Sequence, residues 1–220
     1  MMRISRLLLV GALLAAPFSA GAVDAERARE IFGPCAGCHG EFGAGGKKGE
    51  YPRIAGQQKK YIEQQLMAFQ KRIRPNIPMV PYTEERELAT EDMKVVAEWL
   101  SQVELDTKMP VFKGDEDALT RLKAVEKVMI VPRVKGDIDN GGRIFQKQCA
   151  SCHGKQGRGK GMFPMIAGQY TNYLQKQIDA FLKAARPHDE DTANVGVLYT
   201  LKPEDIQDVM AYLTTLQNLE

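Results

Sequence analysis

Two pentapeptides of one pattern, Cys35-Ala36-Gly37-Cys38-His39 and Cys149-Ala150-Ser151-Cys152-His153, constrain this chain more than anything else in it. They take up all four cysteines and two of the three histidines. Cys-x-x-Cys-His is the attachment pattern for c-type haem. Each thiol adds across a vinyl group to form a thioether. The two residues between the cysteines match the spacing of the vinyls, and the adjoining His reaches the iron from the proximal side.

Other uses of the cysteines fit poorly. A zinc ribbon places its Cys-x-x-Cys pairs about 15–20 residues apart, and these lie far beyond that. A thioredoxin-like pair stands at the end of a strand in a βαβ unit, and no β-branched run surrounds either pentapeptide. Disulfides alone leave the repeated His unexplained. The expected cofactors are two covalently bound haem c groups, with Cys35, Cys38, Cys149 and Cys152 as attachment points and His39 and His153 on the irons.

The pentapeptides belong to a longer duplication. Tyr51-Pro52-Arg53-Ile54-Ala55-Gly56-Gln57 returns as Phe163-Pro164-Met165-Ile166-Ala167-Gly168-Gln169. Tyr61-Ile62, Gln65-Leu66, Phe69 and Arg74-Pro75 return as Tyr173-Leu174, Gln177-Ile178, Phe181 and Arg186-Pro187. Ile31-Phe32 pairs with Ile144-Phe145, and Trp99-Leu100 with Tyr212-Leu213. With only two copies this is a tandem duplication, not a solenoid.

Each copy reads as all-helical. A first helix is expected from about Asp24 to Phe32, with Asp24 capping it. A second covers about Lys59–Arg72, where Tyr61, Ile62, Leu66 and Phe69 fall at helical spacing; Pro75 and Pro78 then stop it. A third runs from Thr90, taken as its N-cap, to Gln102. In the second copy Pro203 suits the first turn of the last helix. Between the copies, Asp115–Ile130 carries Ala118, Leu119, Leu122, Val125 and Val128 at helical spacing. It is expected to form an extra amphipathic helix packed across both domains. The boundaries are 1–22 for a leader, 23–102 and 135–220 for the domains, and 103–134 for the linker. The Gly-rich stretches Gly40–Gly49 and Gly154–Gly161 are not phosphate loops, because no Ser or Thr follows a Gly-Lys. They read as loops that bring backbone close to a flat ring.

The leader shows Arg3 and Arg6, an apolar core from Leu7 to Ala16, and an Ala20-Gly21-Ala22 cleavage site, so the mature chain would begin at Val23. The apolar run is shorter than the roughly 20 residues a span requires, and no permanent membrane anchor is expected. Arg3 and Arg6 account for the whole formal net charge of +2, so the mature chain is balanced, which argues against nucleic acid as a partner. Local basic clusters remain: Lys47-Lys48, and Lys155, Arg158 and Lys160, which could flank an exposed haem edge or stand as solvated loops.

Taken together, the two Cys-x-x-Cys-His runs, the two Pro-x-Ile-Ala-Gly-Gln runs and the Phe32/Trp99 and Phe145/Tyr212 pairs resemble the dihaem class I c-type cytochromes, close to the cytochrome c4 family. The resemblance covers nearly all of the mature chain apart from Asp115–Ile130. It implies an all-α fold: two class I cytochrome c domains in tandem, each of three to four helices around a covalent haem. It implies that the Pro52 and Pro164 carbonyls accept a hydrogen bond from the iron-bound His of the same unit. It implies a periplasmic one-electron carrier with two neighbouring haems, serving redox partner proteins such as an oxidase, reductase or dehydrogenase.

The resemblance also implies a distal Met from the loop before the third helix, where a thioether favours Fe(II). In the first copy that loop holds Met79, flanked by Pro78 and Pro81; Met67 and Met93 fall at core spacing and Met109 lies beyond the unit. The corresponding loop of the second copy, 186–198, contains no Met, and its only strong iron ligand is His188. His188, a Met from elsewhere, and an open or otherwise filled position all stand for the second haem. The main reading is an electron-transfer cytochrome, since no spare nucleophile set exists. The rival is an enzyme, a sensor or the haem subunit of a larger oxidoreductase that uses an open second haem.

Overall fold

The computed structural model describes residues 24–186 and 196–218, and the leader expected at 1–22 lies outside them. The described chain is helical and carries only isolated bridges. Helix α1 spans Ala25–His39, α2 Lys59–Gln70, α3 Val80–Thr83 and α4 Thr90–Gln102. After a linker holding α5 (Ala118–Glu126), the second unit has α6 (Ile138–Ile144), α7 (Ala150–His153), α8 (Thr171–Leu182), α9 (Gly196–Thr200) and α10 (Pro203–Leu213).

The first and last helices of each unit cross at an aromatic pair. Phe32 meets Trp99 with ring centroids 5.1 Å apart, and Phe145 meets Tyr212 at 5.5 Å. The tilted rings, at 54° and 45°, avoid face-to-face repulsion between like quadrupoles. Beside each pair the backbones need a small residue. Ala28 is fully buried in the first unit; the second has Gly141, where a Cβ would fall within contact of the Asp208 carbonyl. Around these crossings Ile62, Val96, Ala97 and Leu100 close one core, and Ala167, Leu174, Ile206, Met210 and Leu213 the other.

Several elements differ from expectation in instructive ways. Asp24 does cap α1, its carboxylate accepting from the Glu26 and Arg27 amides, but the helix runs on through Pro34 and the whole pentapeptide to His39. The second unit has one more residue between Phe145 and Cys149 than the first has between Phe32 and Cys35. The extra residue is absorbed as a π turn over Phe145–Cys149. A widened turn keeps both the aromatic crossing and the haem pentapeptide in register.

Helix α2 ends at Gln70, before the prolines credited with stopping it. Arg72 adopts φ 59, and its counterpart Ala184 φ 52. This left-handed turn satisfies the last carbonyls: Arg72 N–H donates to the Phe69 carbonyl and Ala184 N–H to that of Phe181, each at 3.0 Å. Thr90 is the first residue of α4, not its cap; Ala89 holds the cap position without a side-chain bond.

The linker helix is shorter than the apolar spacing predicts. It starts at the cap Asp117, whose carboxylate accepts from Leu119 and Thr120. No residue of it is buried, and Leu119, Leu122 and Val125 face solvent. The strap that follows does the packing instead. Met129 and Val131 are buried, Met129 N–H donates to the Asp106 carbonyl at 2.8 Å, and the Gln217 amide holds both the N–H and C=O of Val131 at 2.7 Å.

Candidate functional site

Running α1 through Cys35, Cys38 and His39 puts both thiols and the imidazole on one turn of rigid backbone. The ring of His39 is buried, and its Nδ1 lies 3.0 Å from the Pro52 carbonyl. In the second unit the His153 Nδ1 lies 2.8 Å from the Pro164 carbonyl. A carbonyl only accepts, so Nδ1 carries the proton in both rings and Nε2 is the nitrogen with a lone pair to offer a metal.

The Gly-rich loops build this geometry. Gly45 N–H donates to the His39 carbonyl and Gly159 N–H to that of His153. The Gly43 carbonyl accepts from Ile54 and Ala55, and the Gly157 carbonyl from Ile166 and Ala167. A Cβ on Gly45 would stand 2.7 Å from the Tyr51 carbonyl; on Gly159 it would stand 2.6 Å from that of Phe163. Glycine at these positions therefore admits the Pro-containing segment. The close approach that these glycines allow is of loop to loop.

No disulfide joins the two cysteines of either pair. Burial, then the neighbouring thiol of the pair, pushes Cys35 and Cys149 each up to about 11. Burial likewise lowers His39, opposed by its bond to Pro52. Each unit thus presents two thiols and an imidazole whose Nδ1 is tied to a proline carbonyl, which suits a ring held by two thioethers and one nitrogen. Among the described residues no other group of His, Cys, Asp or Glu is placed to hold a metal.

The cytochrome c profile matches residues 25–104 and again 138–217, one match per unit. The chain belongs to the cytochrome c family. It is a dihaem cytochrome of the c4-like kind, carrying one covalent haem c on Cys35 and Cys38 and another on Cys149 and Cys152. The thiosulfate dehydrogenase electron acceptor of Stutzerimonas stutzeri is 29% identical over 187 residues, covering 84% of this chain and 80% of that one. Cytochrome c4 of Stutzerimonas stutzeri is 26% identical over 203 residues, covering 88% and 89%. The solved structure of reduced cytochrome c4 from Pseudomonas stutzeri superposes with a TM-score of 0.67 over 90% of this chain and all of that one, at 23% identity. This likeness shows the fold.

The two units of this cytochrome meet across a pseudo-two-fold seam made of the duplicated residues. The buried Gln57 side chain takes both backbone groups of Met165: its Oε1 accepts from Met165 N–H at 2.6 Å and its Nε2 donates to the carbonyl at 3.0 Å. Gln169 takes both groups of Arg53 in the same way, at 3.0 and 2.9 Å. Farther out, Arg74 reaches Tyr173 Oη and Gln177 Oε1, while Arg186 reaches Tyr61 Oη and Gln65 Oε1. Arg74 lies over the Phe69 ring and Arg186 over Phe181, at 4.6 and 4.5 Å. The sequence displayed each of these residues as a repeat, but nothing in it said that they face the other copy.

One pair breaks the symmetry. Arg53 is buried, donating from Nε to the Ala55 carbonyl and from Nη1 to that of Gly168, where its counterpart Met165 is apolar. Burial, and then the nearby Arg158, lower its pKa to about 10; it remains a cation at neutral pH.

The residues proposed from sequence as distal ligands divide. Met79 closes a 3₁₀ turn over Ile77–Met79 and is half-buried. Its carbonyl accepts from the buried Thr83 hydroxyl at 3.1 Å. Met93 is consumed by the core and Met109 is exposed. In the second unit Met162 is exposed, while Met165 and Met210 are buried in the seam and core. His188 lies outside the described residues. Of the basic clusters, Lys47, Lys48, Lys155, Arg158 and Lys160 are all exposed. No helix among the described residues is long and apolar enough to cross a membrane.

Proposed function

We infer that this dihaem electron carrier works in the periplasm, taking electrons from a sulfur-compound dehydrogenase and handing them to a second redox protein. The observation that carries this reading is the pair of His–Pro units locked face to face by the Gln57 and Gln169 amides. Such a seam holds two redox centres at one fixed separation. Two relatives are named as electron acceptors of thiosulfate dehydrogenase, from Stutzerimonas stutzeri and Thiomonas intermedia, which supports that donor class. The haem supplies one-electron exchange between Fe(III) and Fe(II). In this reading His39 and His153 are the proximal ligands, oriented by Pro52 and Pro164, and Met79 is the distal ligand of haem one. The leader over 1–22 sends the chain across the membrane. The exposed lysines beside the pentapeptides form the docking face, so electron transfer slows as salt screens it.

Rapid-mixing measurement tests this. Thiosulfate with a catalytic amount of thiosulfate dehydrogenase should reduce both haems, faster at low ionic strength. Reduction no faster than without the dehydrogenase would remove the donor assignment. A second reading rests on the absence of Met from 186–198: an open haem two binding small molecules. Fast carbon monoxide binding to one of two ferrous haems would establish it, and slow binding at both would leave His188 or another protein ligand in place.

A further inference from the structure

Each proximal histidine is joined to the opposite unit through a single peptide group. The carbonyl that accepts from His39 Nδ1 is that of Pro52. The nitrogen of that same peptide is Arg53 N–H, which donates to Gln169 Oε1 at 3.0 Å. In mirror order, the Pro164 carbonyl accepts from His153 Nδ1, and the nitrogen of its peptide, Met165 N–H, donates to Gln57 Oε1 at 2.6 Å. The chain of contacts therefore runs from histidine, through a resonant amide, to a glutamine of the other domain, twice.

We propose that Gln57 and Gln169 are positioning residues that tune the haem of the opposite unit: Gln169 acts on haem one through Pro52–Arg53, and Gln57 on haem two through Pro164–Met165. This deepens the carrier reading above and rests on it. The amide is the conducting element. Its C–N bond has partial double-bond character, so an acceptor at N–H shifts electron density onto the carbonyl oxygen. Successive hydrogen bonds polarise one another, and a dry surround strengthens the effect. A more negative carbonyl draws harder on the Nδ1 proton, making the imidazole more basic toward the iron. A more basic nitrogen ligand favours Fe(III) over Fe(II).

The orientation of each glutamine is dictated. A backbone N–H demands the side-chain oxygen and a backbone C=O demands the NH₂. Both amides are buried, and both Oε1 atoms accept a second bond from the following backbone N–H, Gln58 at 2.9 Å and Tyr170 at 3.0 Å. Protein groups thus hold the oxygen and the nitrogen of each amide.

The experiment uses the full-length dihaem protein. Gln169→Leu removes the acceptor on the Arg53 N–H and should raise the potential of haem one while haem two stays. The shift expected is roughly threefold in the one-electron equilibrium, on a scale where tenfold is 59 mV. Gln57→Leu should do the reverse. Redox titration, with each step assigned by the haem methyl resonances of the ferric protein, reads both. Gln169→Glu retains an acceptor oxygen and should not raise haem one. Should Gln169→Leu loosen the seam, Gln169→Asn, one methylene short of Arg53, should move the same haem in the same direction. A shift confined to the haem of the mutated unit, an equal shift of both, or no shift overturns the proposal. Failure of the carrier reading would show separately, as a wild-type protein without two reversible steps.

Discussion

Met79 stands in a turn stiffened from both sides, by Pro78 and Pro81 in sequence and by the Thr83 hydroxyl on its carbonyl. A thioether held there favours Fe(II), and a nitrogen does not. Met79→His should therefore lower the potential of haem one and abolish the far-red Fe(III)–thioether absorption, both read on the oxidised protein and in titration. A band that survives the substitution would place the ligand elsewhere. At this scale the sequence was most informative where chemistry fixes residue type and spacing together. Cys35, Cys38, His39 and their copies could be read directly because a ring with two vinyls tolerates little else. Arg72 and Ala184 could not. Both sit in the left-handed region, where Gly is the usual occupant, so no turn signal marks the spot and the nearby prolines drew the attention instead.

Helix crossings carry the next level. In the second unit Asp208 ties α10 to the start of α6, accepting from Asn140 Nδ2 at 2.9 Å and from Asp137 N–H at 2.7 Å. These two bonds, the side-chain one first, hold its carboxyl below the usual range. A depressed folded-state pKa means stability that is present above the unfolded value and lost as pH falls through the folded one. Asp208→Ala should therefore lower the melting temperature at neutral pH, with the gap from wild type closing in strong acid. A gap that widens on acidification would contradict the assignment. Helical periodicity found the long elements because burial repeats every turn. The linker helix shows where that signal misleads. Leu119, Leu122 and Val125 follow the pattern yet are exposed, while the buried Met129 and Val131 lie in the extended strap that follows. Nor does periodicity register the single inserted residue behind the π turn, because the apolar positions on either side keep their roles.

Over the whole molecule, the seam sets the electrostatic surroundings that the two units share. Arg53 adds one buried positive charge between the units, with only carbonyl oxygens as its hydrogen-bond partners among the described residues. A cation in a poorly screened interior opposes the extra charge of the ferric state. Arg53→Met, copying the residue at 165, should lower the potentials of both haems in a redox titration. That outcome is opposite in sign to that for Gln169→Leu. Potentials that do not fall would mean the charge is neutralised in place. The seam also has the form of a contact between two like copies. A contact in which Gln57 of one half grips residue 165 while Gln169 of the other grips residue 53 is self-complementary. A single ancestral copy with these residues would already possess both sides of a homodimer contact. In such a dimer the residue at 53 would be bound to face itself, and both side chains approach the same Gly56, so an arginine there would set cation against cation. A chain that carries both copies is free of that symmetry, and this one places arginine in one half and methionine in the other.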